Sequence, residues 1–295
     1  MTTVRVAVPR KGRPLEGVLE ALAESVPFEE TADDIISTLR YEKAITKDNQ
    51  QADSDVYERL AQYSTLSDPT QPEYTLLRDD REGMPRRVVF DSVTVPAGET
   101  DVQLVGREEP FRALRTHEFA LGFDSADLVL EEVVQLSDDP IDGLEAANER
   151  IDPLDTDVRI VDGLGDTVYH TLLATPELLE GSGELDRSFV EEYEGELCIS
   201  PRYERLVEAV LGTKALDGID FTYPVEGIEE EASIAQTGIG VYLTVTGSTA
   251  RDNGLVLGEK LFPSETVLLE NTAEVDEHTR TVASLFERSI EQPLF

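Results

Sequence analysis

The sequence predicts an α/β protein in two lobes, built largely on parallel sheets. Short apolar runs recur along the chain, stretches of helical period follow them in turn, and two polar interruptions divide the series into blocks. With 295 residues and 40% hydrophobic content, the chain has material for one large core or two modest ones.

The elements follow in order. VRVAV (4–8) alternates, a Pro-Arg-Lys-Gly-Arg turn interrupts it, and PLEGVLEALAESV places Leu15, Val18, Leu19 and Leu22 on one helical face. The same grammar recurs in DVQLV (101–105) before EPFRALR, EFALGF (118–123) before a turn, and GELCIS (195–200) before PRYERLVEAVLG. IDFTY (219–223) leads to EGIEEEASIAQ, and GIGVYLTV (238–245) leads into TGSTARDNGL. SETVLLEN (264–271) precedes a final helix with Val282, Leu285, Phe286 and Ile290 inward. Residues 29–98 read as a polar insertion holding a short helix or two and a hairpin around RRVVFDSVTV. Residues 136–157, rich in Asp and Pro, read as a connector. Residues 1–155 are therefore expected to form the first lobe, 156–255 the second, and 256–295 a return strand and helix completing the first. Ligands in such folds bind at strand carboxyl ends, in the crevice between lobes.

Acidic residues outnumber basic ones 62 to 25, for a net charge of −37, and only five of the basic residues are lysines. The acid is dispersed rather than gathered in a tail. Dispersed acid with few lysines suits a salt-saturated cytoplasm, where salt screens the self-repulsion. Nucleic acid is excluded as a partner, because its binding rests on Lys and Arg neutralising phosphates. The densest basic group, PRR at 85–87, is flanked by Asp79, Asp80, Glu82 and Asp91. Cys198 is the single cysteine, so no disulfide framework is expected, and its ELCIS setting reads as a buried strand. No apolar run resembles a signal peptide or a membrane span, so the expectation is a soluble, cytoplasmic protein.

Two stretches could carry chemistry. In PRKGRP, right after the first strand, Lys11, Gly12 and Arg13 could meet an anion or nucleotide at a helix start; a tight turn with solvated charges explains them too. Thr246, Gly247, Ser248 and Thr249 follow an apolar strand and precede a polar helical turn. Glycine lets the backbone approach a phosphate, successive N–H groups form an anion nest, and the hydroxyls complete it; ordinary capping of a helix by Thr and Ser is the alternative. The G-K-[ST] ending of a Walker A loop is absent. His117, His170 and His278 lack metal-ligand spacing, no metal site is expected, and no G-x-S-x-G occurs. The EEE run at 229–231 reads as a solvated helix face.

Taken together, these pieces resemble ATP phosphoribosyltransferase, the first enzyme of histidine biosynthesis, a two-lobed relative of periplasmic binding proteins with a type II fold. VRVAVPRKGRPLEGVLEAL is similar to its opening strand, KGR turn and first helix. VQLVGREEPFRALRTHEFALGF, VRIVDGLGDTVYHTLLATPE and LCISPRYERLVEAVLG follow in the same order. GIGVYLTVTGSTARDNGL with SETVLLEN is similar to the family's phosphoribosyl-pyrophosphate loop and return strand, the most specific match. The collinear series covers about two-thirds of the chain and looks like a divergent haloarchaeal-type paralogue.

The resemblance implies that Thr246, Gly247, Ser248 and Thr249 hold the 5′-phosphate of the ribose donor. It places Lys11, Gly12 and Arg13 in a turn facing the ligand cleft, and Arg107 where the family keeps an Arg before a Pro-containing helix start. Glu229 falls on a family Glu, although Glu226-Gly227 replaces the preceding Gly-Ser. Phosphoribosyl pyrophosphate or a nucleotide would be the ligand, Mg²⁺ its companion, and ATP or another molecule the acceptor. The departures are specific: Gly238 and Tyr242 stand where the family carries two ribose-contacting Asp residues, and Ala120, Ala126 and Ser248 replace an Asp, a Lys and a frequently basic residue. Transfer at a ribose carbon builds charge that carboxylates, Mg²⁺ and cations stabilise, so each lost group could cost ~2–4 kcal/mol. Glu229 and Asp252 remain as candidate replacement catalytic groups. The other reading is a non-catalytic, ligand-sensing or regulatory paralogue. A homo-oligomer stays open, and after Leu255 there is room for the return strand and helix but not for the family's further regulatory domain.

Overall fold

The computed structural model describes residues 2–47, 49–65, 67–78, 86–165, 168–180, 183–225 and 227–287. Asp79, Asp80, Glu82, Pro85, Glu226 and Ile290, named above, lie outside them. The chain divides into two units and passes from one to the other four times.

Unit 1 comprises Met1–Asp124, Asp157–Leu164 and Thr266–Phe295. Its first strand, β1 (Thr2–Pro9), buries Val4, Val6 and Val8 on one face. After the Pro-Arg-Lys turn, α1 (Gly12–Ser25) buries the four residues that its 3.6-residue period aligned. Then come α2 (Glu29–Thr46), α3 (Val56–Tyr63), β2 (Glu73–Arg78), β3 (Arg86–Ala97), β4 (Thr100–Arg107), α4 (Pro110–Arg115) and β5 (Leu121–Ser125). Strand β1 runs parallel to β4 over its whole length, from Thr2 opposite Thr100 to Pro9 opposite Arg107.

Unit 2 comprises Ser125–Thr156 and Gly165–Glu265. It opens with α5 (Ala126–Glu132) and α6 (Leu144–Glu149), after which β6 (Val158–Gly163) returns to the sheet of unit 1. Unit 2 resumes with β7 (Val168–Ala174), α7 (Arg187–Glu192), β8 (Gly195–Cys198), α8 (Glu204–Leu211), β9 (Ile219–Thr222), α9 (Glu230–Thr237), β10 (Ile239–Thr244), α10 (Ser248–Asp252) and β11 (Val256–Ser264). The chain then re-enters unit 1 as β12 (Thr266–Asn271) and α11 (Glu277–Ala283). The strand order is β2-β3-β4-β1-β5-β12-β6 in unit 1 and β11-β7-β10-β8-β9 in unit 2. A return strand inserted beside β5, after an excursion through a second α/β unit, is the chain path expected of the predicted class.

Three expectations need correction. The boundaries fall elsewhere: residues 125–156 belong to unit 2, 157–164 to unit 1, and the return to unit 1 comes at Thr266 rather than at 256. The sheets are mixed rather than largely parallel, in part because β2, β3 and β4 are adjacent in the chain and pair antiparallel, and in part through pairs that are distant in sequence. The β2/β3, β3/β4, β12/β6, β10/β7 and β11/β7 pairs are antiparallel.

Residues 29–98, third, are no polar insertion. Helix α2 runs 18 residues and buries Ala32, Ile35, Ile36 and Leu39, while β2 and β3 extend the sheet outward from β4. Phe28, Ile35, Val88, Phe90, Val93 and Val95 share one core cluster with Val6, Leu19 and Phe123. Averaged along sequence, the charged outer face of α2 hides the apolar stripe that packs inward. Ile35→Ala is therefore expected to destabilise unit 1 by about 2–5 kcal/mol, the range for emptying a filled core position. Urea unfolding followed by circular dichroism would measure it, and a loss below ~0.5 kcal/mol, the usual surface range, would return the segment to the periphery.

Candidate functional site

The residues singled out from sequence separate into two groups, one in each unit. In unit 2, β10 ends at Thr244, Val245 and Thr246 turn outward, and α10 starts at Ser248. Gly247 makes the turn. It is the N-cap of α10 at φ 68°, ψ 21°, a left-handed conformation that only glycine adopts freely. A Cβ there would lie 2.2 Å from Leu257 Cδ2, so the backbone rests directly on β11.

Thr246, Ser248 and Thr249 are exposed around this buried glycine. The Thr246 and Ser248 hydroxyls lie 3.2 Å apart, and Arg251 Nη1 donates to the Thr246 carbonyl at 2.8 Å. Asn253 Nδ2 donates to the Thr249 carbonyl at 3.0 Å, tying the far side of the loop. The first N–H groups of a helix have no carbonyl one turn back, so they point toward solvent among these hydroxyls. Inward of the loop, Thr244 and Thr171 are buried and bond through their hydroxyls at 2.6 Å. The structure thus presents three hydroxyl side chains on one rigid turn.

At positions 238 and 242, where the resemblance leads one to expect carboxylates, the residues present have structural roles. Gly238 caps α9 at φ 105°, where an L-residue would be strained, so an Asp there would fight the backbone. Tyr242, half-buried on β10, bonds Glu230; burial first, then that carboxylate, pushes its phenol far above the usual range. Glu230 is thus the carboxylate set beside β10, one residue on from the Glu229 expected from sequence. Glu229 is the N-cap of α9, makes no side-chain cap and is exposed; Asp252 is exposed at the end of α10. A helix start assigned one residue later would have pointed to Glu230, but no local signal links it to Tyr242.

In unit 1, Lys11 is the N-cap of α1 and Gly12 follows at φ 79°. The turn is pinned by Arg10, whose Nε donates to the Gly106 carbonyl at 3.1 Å and whose carbonyl accepts from Phe90 N–H at 3.0 Å. Lys11 and Gly12 line a cavity of about 390 Å³, whereas Arg13 and Arg107 are not among its lining residues. Arg107 instead sets its guanidinium 5.0 Å from the Phe119 ring centre and 3.9 Å from the Glu118 carboxylate.

The remaining candidates are structural. His170 Nε2 lies 3.1 Å from Asp127 Oδ1, fully buried, with Ser264 donating to the other Asp127 oxygen at 2.8 Å. His117 pairs with Glu274, and burial pushes the Cys198 thiol up, away from nucleophilic duty. Among the described residues, no group of three or more His, Cys, Asp or Glu could hold a metal ion, and no helix is long and apolar enough to cross a membrane.

A family model for halobacterial ATP phosphoribosyltransferase matches residues 1–294. The chain belongs to that family. The family is thus one of phosphoribosyltransferases of histidine biosynthesis. No curated protein matches the chain. Among solved structures, the ATP phosphoribosyltransferase HisG:HisZ complex of Thermotoga maritima is similar, with 14% identity, coverage of 96% of this chain and 93% of that one, and a TM-score of 0.42. The regulatory domain of the LysR-family regulator MetR from N. meningitidis shows 13% identity, coverage of 63% and 79%, and a TM-score of 0.34. The effector-binding domain of QuiR in complex with shikimate shows 10% identity, the same coverages and a TM-score of 0.32.

Proposed function

We propose that this chain binds phosphoribosyl pyrophosphate through the Thr246–Thr249 loop and transfers the phosphoribosyl group to ATP or another acceptor. The observation that carries the reading is the exposed hydroxyl turn around left-handed Gly247, in a chain of the ATP phosphoribosyltransferase family. Hydroxyls and helix N–H groups are the donors a 5′-phosphate monoester needs, and a rigid turn presents them without further ordering cost. The nucleotide- or anion-binding role of Lys11, Gly12, Arg13 and Arg107 belongs to the same proposal; so do the cytoplasm and high salt as setting. The described residues offer no metal cluster. Mg²⁺ enters this reading as the counter-ion of the ligand's pyrophosphate, hence as part of the substrate.

The second reading, a non-catalytic ligand sensor, is favoured by left-handed Gly238 and hydrogen-bonded Tyr242, which stand where the resemblance implies carboxylates. Two measurements separate the readings. Calorimetry is expected to show phosphoribosyl pyrophosphate binding that Thr249→Ala weakens by about tenfold, the worth of one phosphate hydrogen bond to a charged group. Absence of any affinity in the unaltered chain would overturn both readings. Pyrophosphate release from phosphoribosyl pyrophosphate, ATP and Mg²⁺ in molar KCl marks the transferase; binding without release leaves the sensor.

A further inference from the structure

The faces that α2 and α3 turn toward each other are polar rather than apolar. Helix α2 meets the core through Ala32, Ile35, Ile36 and Leu39, and α3 packs Val56 and Leu60 against the same core. On another side of α2, Ser37 and Thr38 stand four and three positions before Tyr41, so all three meet on one face. On α3, Gln62 and Tyr63 follow Arg59 by three and four positions and share a face in the same way. These six residues, with Asp53 and Ser54, line a cavity of about 510 Å³. Its size lies within the range of small-ligand sites, about 300–1,000 Å³.

The one cation of this lining is already neutralised. Arg59, its single buried residue, donates from Nε and Nη2 to the two Glu42 oxygens and from Nη1 to the Ser54 carbonyl. A guanidinium has five N–H groups, so one remains on each Nη, held in a fixed plane by the three bonds. Tyr63 donates its O–H to Glu42 at 2.9 Å, which leaves its ring as the contact surface. Among the described residues, the Tyr41 and Ser54 hydroxyls, the Gln62 carboxamide and the Asp53 carboxylate make no hydrogen bond. Asp48, in the connection between α2 and α3, lies outside the described residues. An anion here would face Asp53 with no cation left to balance it. A hydroxyl both donates and accepts, so it can meet the guanidinium, the carboxamide and the carboxylate alike.

We propose that this cavity binds an uncharged polyol: a sugar ring or cyclitol, free or as the end unit of a longer saccharide. Neighbouring ligand hydroxyls would accept from the Arg59 N–H groups and the Gln62 amide and donate to Asp53. The ring C–H faces would pack on Tyr41 and Tyr63, the apolar part of the lining. The inference stands apart from the proposed function: this cavity lies in unit 1 and the hydroxyl loop in unit 2.

The experiment is saturation-transfer NMR, with calorimetry, of D-glucose, myo-inositol and maltose against the full chain in molar KCl. Millimolar binding of at least one is expected, the affinity that a few neutral hydrogen bonds supply. Gln62→Ala and Tyr41→Ala are each expected to weaken it at least about fivefold, the effect of losing one neutral contact. Gln236→Ala, on α9 in unit 2, is expected to leave it unchanged. Raising KCl from about 1 M to about 3 M is expected to leave affinity unaltered, because no net charge is matched across the contact. Glucose binding without maltose binding assigns the site to a free monosaccharide, and tighter maltose binding assigns it to the end of a longer saccharide. Thr249→Ala is expected to keep polyol binding, and a chain that binds glucose but no phosphoribosyl pyrophosphate would leave this inference standing alone. No saturation transfer to any of the three at about 50 mM overturns the proposal. So does equal weakening by Gln62→Ala and Gln236→Ala, or tighter binding of glucose 6-phosphate than of glucose. Circular dichroism of each variant confirms that the fold survives, as exposed Gln62 leads one to expect.

Discussion

Glu42→Ala is expected to lower the stability of unit 1 by about 3–5 kcal/mol, the cost of stranding one member of a buried ion pair. Glu42 is 3% exposed and Arg59 9% at the side chain. Arg59 Nε and Nη2 reach the two carboxylate oxygens, Arg59 Nη1 donates to the Ser54 carbonyl at 2.5 Å, and Tyr63 O–H donates to Glu42 Oε1 at 2.9 Å. Burial and this carboxylate together push the Tyr63 phenol up to about 12. Removing Glu42 leaves a guanidinium with half its partners and a phenol with none of its charge-assisted ones. A paired replacement, Glu42→Leu with Arg59→Met, should cost far less, because no charge is then left buried. Urea unfolding by circular dichroism distinguishes these outcomes; a single-variant loss under ~1 kcal/mol, the surface-pair range, would show that water reaches the pair.

Gly247→Val is expected to cost phosphoribosyl pyrophosphate affinity by more than about a hundredfold, combining backbone strain with loss of the turn that presents the hydroxyls. A left-handed conformation costs an L-residue roughly 1–2 kcal/mol, and more for a β-branched one. The new Cβ would also meet Leu257 Cδ2 at 2.2 Å. The two penalties can be separated. Gly247→Ala in a Leu257→Ala background relieves the contact but not the strain, so affinity should return only in part. Full return would place the whole effect in packing, and no return would place it in the backbone. Equal affinity in Gly247→Val and the unaltered chain would remove the loop from the site.

The strand–helix order was legible in the sequence wherever apolar period and turn residues agreed locally. VRVAV and the four leucine and valine residues of α1 became a strand and a helix with the faces their spacing assigned. The hydroxyl loop was legible too, since strand, glycine and helix start are contiguous. What failed were judgements that depend on distant partners. Residues 29–98 look polar in sequence because α2 is amphipathic and its stripe is filled by β3, some fifty positions on. Helix α2 also carries hydroxyls that share a cavity with α3, and STLRY shows their spacing but not what they face.

By itself, the sequence determined the element series, the acidic surface, the glycine turn at 247 and the family. Each of these depends on residues near one another in the chain or on composition. Only the tertiary structure decided where the units divide, that Glu230 rather than Glu229 stands beside Tyr242, and that polar faces of α2 and α3 line one cavity. Long-range pairing sets those facts. Register between strands and the packing of helix faces are fixed by mutual burial, which no local window of sequence contains.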